Sequence, residues 1–189
     1  MSNIFTPRTT APDPYSPYWQ KTTYGGYNKF NTQGMYPGCV LPNCTGYAEG
    51  RWMEILDWTS TSLPFTNATN WYGHTSDGYP RGQDPRIGAV ICWRTWDENG
   101  VEDRGHVGIV EKIIYDGNGN VDHLEVSWSA DNGAYFTYRT NINAPDFKYK
   151  TRSELQGFIY CPDQPIAIDS NEGIALMLRR RRKLYRKKY

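Results

Sequence analysis

The chain has few of the residues that build disulfide scaffolds and metal centres. Its 189 residues include four cysteines and three histidines, and four cysteines are too few to define a disulfide scaffold in a chain of this length. No stretch approaches the roughly 18–20 consecutive apolar residues that a membrane-spanning helix needs. The mean hydropathy is −0.73 and 38% of the residues are hydrophobic, which is typical of a soluble globular chain. We therefore expect one ordinary domain with terminal extensions and no membrane span.

The amino terminus also lacks the pattern of a secretory signal peptide. Residues 1–7 are polar and end in proline, whereas a signal peptide is basic and then apolar. A protein without such a signal would have to leave the cell by another route. We expect it in the host cytoplasm until it is released, for example by lysis.

Positive charge is scarce in most of the chain and concentrated at its end. Residues 179–189 hold eight of the 21 basic residues and no acidic residue, so residues 1–178 carry 13 basic and 20 acidic side chains. The basic tail, Arg179 to Tyr189, is predicted to contact an acidic protein surface or an anionic polymer. Nucleic acid is a weaker prediction, because the only aromatic residues beside these charges are Tyr185 and Tyr189.

Composition divides the chain into three segments. Residues 1–34 are rich in proline, tyrosine, glycine and asparagine, which predicts an extended aromatic arm that lies across the domain or docks on a partner. Residues 35–163 carry the helix and strand patterns of a single domain. Residues 164–189 form a C-terminal extension that ends in the basic tail.

One helical pattern is followed by a run of strand patterns. Apolar residues recur at helical spacing after Cys44, at Ala48, Trp52, Ile55 and Leu56. Strands are predicted over residues 87–95, 107–115, 121–129, 134–140 and 155–161, with a hairpin turn at residues 116–120. An early helical layer followed by hairpin-linked strands indicates an α+β domain with an antiparallel sheet.

A cysteine lies at the predicted start of the helix. Asn43, a favoured N-cap residue, precedes Cys44. In the first turn of a helix, the dipole and the free backbone N–H groups favour an anionic thiolate. The alternative is a buried structural cysteine, because free cysteines are among the most buried residue types.

A histidine far downstream favours the reactive interpretation. His106 opens a short apolar run with strand character, and a lone cysteine followed by a histidine at a strand edge is the arrangement that cysteine nucleophiles use. The imidazole would accept the thiol proton and return a proton to the leaving amine. A structural histidine is the alternative; His74 and His123 have no comparable context, although His74 could line a substrate cleft.

Four segments of the chain resemble one known family in order. Residues 43–51 are similar to the nucleophile segment of CHAP domains, the cysteine- and histidine-dependent amidohydrolases and peptidases that cut bacterial peptidoglycan. Residues 67–71, 85–91 and 105–111 resemble three further segments of that family, the last being its histidine strand. The resemblance implies a papain-like fold, with N-terminal helices packed on an antiparallel sheet.

The resemblance also implies an activity. The chain would be a bacteriolytic peptidoglycan hydrolase, either an N-acetylmuramoyl-L-alanine amidase or a peptide-bridge endopeptidase, carried by a phage as an endolysin or in the virion. Cys44 would be the nucleophile and His106 the base and acid, facing one another across an open groove, without a cofactor. Asn43 would supply a second oxyanion donor beside the Cys44 N–H, with helix capping as its alternative role. The rival hypothesis is a non-catalytic or weakly catalytic virion or tail component with the same fold.

The sequence departs from the family at the group that orients the imidazole. Similar proteins carry a Glu or Asn near the end of the strand that follows the histidine strand, and a gapless match places Trp128 there. A small insertion would move the role to Asn132 or Asp131; otherwise a backbone carbonyl would substitute. Asn132 is preferred, with a simple turn role as its alternative. Glu125 is a further candidate, although strand alternation places it opposite the apolar face.

A zinc module is a third hypothesis. Cys39 and Cys44 have a Cys-x4-Cys spacing, and His106 or His74 could complete a metal site. The absence of a second closely spaced pair weighs against it. A disulfide between Cys39 and a cysteine other than Cys44 is left open by the sequence.

Overall fold

The computed structural model describes residues 4–13, 16, 18, 23–24, 27–28, 44–58, 60–64, 66–129, 135–162 and 166–167. Several of the predictions therefore lie outside the described residues: those for Cys39, Asn43, Asp131, Asn132 and the basic tail. Within the described ranges, no helix is long and apolar enough to cross a membrane.

The described residues form one α-helix and ten strands. The helix, α1, spans Cys44–Leu56. The strands are β1 (Ile4–Phe5), β2 (Thr23–Tyr24), β3 (Tyr27–Asn28), β4 (Arg81–Gly82), β5 (Val90–Thr95), β6 (His106–Tyr115), β7 (Val121–Trp128), β8 (Thr137–Asn143), β9 (Ser153–Ile159) and β10 (Ile166–Ala167). Two short 3-10 helices, Ala68–Asn70 and Thr75–Asp77, lie between α1 and β4.

Six strands form the central sheet, in the order β4-β9-β5-β6-β7-β8. All of their pairings are antiparallel, and the predicted turn between β6 and β7 is closed by a hydrogen bond from Asp116 N to Asn120 O of 2.8 Å. The α+β class and the antiparallel sheet are confirmed. The resemblance implied several N-terminal helices, whereas the described ranges contain a single α-helix.

Helix α1 packs on one face of this sheet, which we call the helix face. The predicted apolar stripe is buried, and Ala48 and Trp52 are both 0% exposed. They share a cluster with Val90 of β5 and with Val107 and Ile109 of β6. The Trp52 indole also donates to the Gly88 carbonyl at 2.8 Å, so a hydrogen bond as well as apolar burial holds the helix on the sheet.

The opposite face, which we call the open face, carries a second apolar cluster and no helix in the described ranges. Alternate residues of β7 point there, as the strand pattern predicted: Leu124, Val126 and Trp128. The connection between β8 and β9 covers this cluster through Phe147 and Tyr149. The Trp93 indole donates to the Phe147 carbonyl at 2.7 Å, which fastens that connection to the sheet.

The described part of the N-terminal arm lies against the domain. Phe5 is buried in the cluster beneath α1, and the Arg8 guanidinium binds the Glu54 carboxylate. Strand β1 pairs in parallel with β10, so this part of the arm meets the start of the predicted C-terminal extension. The predicted segment boundaries, at residues 34–35 and 163–164, stay predictions.

Candidate active site

Cys44 is the first residue of α1 and is half-buried. It packs against the helix-face cluster, where burial raises the pKa of the neighbouring Cys92 thiol and Cys44 adds to that rise. Cys92 pairs with Val107, which follows His106 in β6. The predicted nucleophile is therefore at a helix N-terminus, near the end of the sheet at which the histidine strand begins.

His106 is the first residue of β6 and is only 7% exposed. Its ring lies within an aromatic cluster on the open face. Trp93 stacks on it at 5.9 Å between ring centroids and 18° between planes, Tyr149 lies at 4.7 Å, and Trp128 meets it at 5.3 Å and 90°. The Nε2 atom of the ring is buried and has no hydrogen-bond partner in the described part of the chain.

The structure brings Cys44 and His106 to the same end of the sheet but does not join them. Cys44 packs against the helix-face cluster to which Val107 belongs, and successive residues of a strand point to opposite faces. The His106 ring accordingly packs with Trp93 on the other face. We expected the Cys44 sulfur and the His106 imidazole to face one another across an open groove. Instead, they lie on opposite faces of the sheet, and neighbouring aromatic side chains enclose the imidazole.

Enclosure changes the acid–base properties of His106. Burial, and to a lesser extent the nearby Lys150 ammonium, lower the pKa of the imidazole to about 3. Both effects disfavour the imidazolium, the first by removing its hydration and the second by charge repulsion. At neutral pH the ring is therefore neutral and able to accept a proton, but it is a weak base.

The group beside the imidazole is an indole rather than a polar side chain. Trp128, which the gapless family match places at the polar position, does contact the His106 ring. Glu125 is not the orienting group: its carboxylate accepts hydrogen bonds from Tyr138 Oη and pairs with Lys112 Nζ at 2.7 Å. Burial alone would raise the pKa of Glu125, but the bonds from Lys112 and Tyr138 outweigh it and lower the pKa.

A buried polar network on the helix face was not predicted from the sequence. The Glu111 carboxylate, 0% exposed, accepts from Arg51 Nε at 3.0 Å and Nη2 at 2.9 Å. It also accepts from Ser127 Oγ at 2.6 Å and from the Arg8 backbone N–H at 2.9 Å, while Tyr47 Oη donates to Ser127 Oγ at 2.7 Å. The available signal was a charged residue next to apolar residues in each pattern, Arg51 beside Trp52 in the helix and Glu111 after Val110 in the strand.

The remaining predicted site residues have other contacts or no described position. His74 Nε2 lies 2.8 Å from Ser76 Oγ in an exposed loop, and His123 Nδ1 lies 2.6 Å from Asp122 Oδ2. No group of three or more His, Cys, Asp or Glu side chains that could hold a metal ion occurs among the residues that the structure describes. The zinc hypothesis also needs Cys39, which lies outside them.

Residues 31–132, more than half of the chain, match the CHAP domain family. The chain belongs to the CHAP domain family. No curated protein is significantly similar to it. Among solved structures, an N-acetylmuramoyl-L-alanine amidase from Staphylococcus aureus is similar, with 22% identity and a TM-score of 0.43 over 68% of this chain and 34% of that chain. This CHAP chain thus spans about a third of the length of that amidase.

Proposed function

We propose that this CHAP domain is a cysteine-dependent peptidoglycan hydrolase in which Cys44 is the nucleophile. The observation that carries the proposal is the position of Cys44, half-buried at the first residue of α1, within the segment that matches the family. The N-terminus of a 13-residue helix supports a negative charge on the sulfur. Cys92 and Cys161 are buried in the core, so neither offers a comparable nucleophile.

The reaction would follow the ordinary course of cysteine amidohydrolysis. The thiolate attacks the amide carbonyl carbon, and the resulting oxyanion is stabilised by the Cys44 backbone N–H; one such donor is typically worth about 3 kcal/mol. The C–N bond then breaks, the amine leaves with a proton from the imidazole, and water hydrolyses the thioester. Asn43 is the proposed second oxyanion donor.

His106 is the proposed base and acid. Its ring is neutral, so it can accept the thiol proton, and Nε2 has no described partner that competes for that proton. Because the ring and the Cys44 sulfur are not hydrogen-bonded here, the reactive state requires them to approach. The role of Asn132 or Asp131 in orienting the ring stays a proposal.

The biological setting is also a proposal and rests on the sequence. A bacteriolytic phage endolysin or virion-associated hydrolase would meet its substrate at the bacterial cell wall. The basic tail, Arg179 to Tyr189, would hold the protein at anionic wall polymers or on a virion partner. Either an amide bond to N-acetylmuramic acid or a peptide-bridge bond would be cut.

Zymography on bacterial cell walls tests the nucleophile. We expect Cys44→Ala to lose at least about a thousandfold in rate, since the residual activity lacks a covalent path, whereas the buried-thiol control Cys161→Ala keeps its activity. Mass spectrometry of the released fragments would identify the bond. Undiminished lysis by folded Cys44→Ala would exclude Cys44 as the nucleophile and with it the proposed mechanism.

A structural, weakly catalytic role is the second candidate, because His106 is enclosed and Trp128 occupies the polar position. It predicts that iodoacetamide modifies Cys44 no faster than an unstructured cysteine peptide at neutral pH. It also predicts that the protein binds purified walls without releasing fragments. Selective alkylation of Cys44 together with fragment release would eliminate this candidate.

A further inference from the structure

The three aromatic rings around His106 contact one another as well as the imidazole. Trp93 lies 6.0 Å from Trp128 and 4.8 Å from Tyr149, and Trp128 lies 5.8 Å from Tyr149, measured between ring centroids. Each of the three also contacts the imidazole. Aromatic pairs at such distances contribute beyond the area that they bury, so the imidazole has a defined position without a hydrogen bond at Nε2.

The backbone on either side of Tyr149 is anchored. Two residues earlier, the Phe147 carbonyl accepts the Trp93 indole N–H at 2.7 Å, and Phe147 adopts a φ of 47°, a left-handed conformation that a bulky residue keeps only when its surroundings enforce it. One residue later, the Lys150 carbonyl accepts from Ser153 Oγ at 2.8 Å. Tyr149 is therefore placed on the imidazole by fixed points in the sheet.

We propose that Trp128 and Tyr149 are positioning residues, an aromatic clamp that holds the resting His106 ring in place of the polar third group and from which the ring moves when it approaches Cys44. The inference rests on the proposed function, because it assigns their role in that reaction. A carboxylate or amide would orient the ring by a hydrogen bond and stabilise the imidazolium. The aromatic clamp orients the ring by shape and keeps water away, so it favours the neutral imidazole.

Lys150 is the charged group that affects the pKa of His106. It follows Tyr149, and its Nζ atom lies 5.5 Å from the centroid of the Tyr149 ring. Strands β5 and β7 contribute indoles to the contact, from Trp93 and Trp128, and these do not titrate. The clamp and the Lys150 charge can therefore be separated by substitution. Tyr149 is half-buried and Lys150 is exposed, so both positions should accept replacements without loss of the fold.

Titration of the His106 ring by NMR is the first test. In the wild type we expect no protonation of His106 between about pH 5 and 8. Tyr149→Ala should raise the pKa of the ring by at least about one unit, because water reaches it, whereas Tyr149→Phe should leave it unchanged. Lys150→Met should give a smaller rise. A wild-type titration near the ordinary histidine pKa, or equal behaviour of the Ala and Phe variants at Tyr149, would overturn the clamp.

Alkylation of Cys44 by iodoacetamide is the second test. Trp128→Gln introduces a polar side chain beside the imidazole. We expect Cys44 in this variant to be alkylated about ten times faster near pH 6 than in Trp128→Phe, because a stabilised imidazolium would favour the thiolate. Equal rates in the two folded variants would contradict the proposal; if either fails to fold, the Tyr149 titration decides. Neither test uses peptidoglycan. A wild type that releases no wall fragments but shows the expected titration would therefore refute the hydrolase and leave only the aromatic enclosure of His106, so the two failures are distinguishable.

Discussion

The two faces of the sheet differ in whether a buried polar side chain is hydrogen-bonded. On the helix face, the Glu111 carboxylate is fully enclosed and accepts four hydrogen bonds, from Arg51, Ser127 and the backbone of Arg8. On the open face, the enclosed His106 ring has aromatic neighbours and an Nε2 without a described partner. Buried polar groups are normally hydrogen-bonded, so the helix face follows the rule and the open face departs from it.

The difference separates a structural task from a chemical one. The network of Arg51 and Glu111 ties α1, which begins at Cys44, to β6, which begins at His106, so it fixes the relation between the two elements that carry the proposed site. The ring of His106 is held by aromatic contacts, and its Nε2 atom has no partner among the described residues that would compete for a proton. Sites where local rules are broken are expected to be functional or strained.

The largest effect is expected when the helix-face network of Arg51 and Glu111 is broken. Glu111→Gln removes the negative charge and leaves the buried Arg51 guanidinium without its main partner, so we expect a loss of about 3–5 kcal/mol in the free energy of unfolding. Urea denaturation measures it. Burial alone would lower the pKa of the Arg51 guanidinium, but the charge and hydrogen bonds of Glu111 outweigh burial and raise that pKa.

Two controls accompany this substitution. Glu125→Gln breaks the ion pair between Glu125 and Lys112, whose side chain is 43% exposed. The loss in the free energy of unfolding should be about 1 kcal/mol or less. Replacing both partners of the buried pair, Arg51→Met with Glu111→Leu, should recover most of the loss, because apolar side chains need no partner. A Glu111→Gln protein as stable as Glu125→Gln would show that the network does not hold α1 on β6.

Much of the helix face could be predicted from the sequence, because it depends on local periodicity. The stripe of Ala48 and Trp52 and the hairpin turn at residues 116–120 are local patterns, and both are confirmed. The pairing of Arg51 with Glu111 joins residues 60 positions apart, and no local pattern encodes a partner at that distance. Only a charge inside each apolar run indicated that a partner must exist.

The site was predicted in part, for a related reason. Cys44 at the start of α1 and His106 at the start of β6 follow from helix and strand patterns, and the family resemblance marked Trp128 as anomalous. The enclosure of His106 depends on Tyr149, which comes from the connection between β8 and β9. The path of an irregular connection is set by tertiary contacts such as the Trp93–Phe147 hydrogen bond, which composition does not reveal.

The second prediction concerns stability on the open face as pH falls. The pKa of His106 is about 3 in the folded state and about 6.5 in the unfolded chain. Below about pH 6.5 the unfolded state therefore binds a proton that the folded state does not, and stability declines. Between about pH 7.5 and 5 the loss should reach about 2 kcal/mol, by linkage.

Urea denaturation across this pH range, on the wild type and on His106→Phe, measures that contribution. Phenylalanine keeps an aromatic ring within the cluster and does not titrate. As the pH falls, the free energy of unfolding of His106→Phe should therefore decrease by about 2 kcal/mol less than that of the wild type. Parallel pH profiles for the two proteins would mean that His106 reaches solvent in the folded state. The contrast between the faces would then be lost.

The smallest expected effect tests whether the open face carries an unpaired polar group beyond the imidazole. Thr95 lies two residues after Trp93 in β5 and so points to the same face; it is 1% exposed, and its Oγ1 has no hydrogen-bond partner in the described part of the chain. Thr95→Val keeps the shape and removes the hydroxyl, so we expect a gain of about 1 kcal/mol in the free energy of unfolding. Ser127→Ala is the matched change on the helix face. There the hydroxyl joins Tyr47 to Glu111, and its removal should instead destabilise the protein, so changes of the same sign at both positions would contradict the contrast.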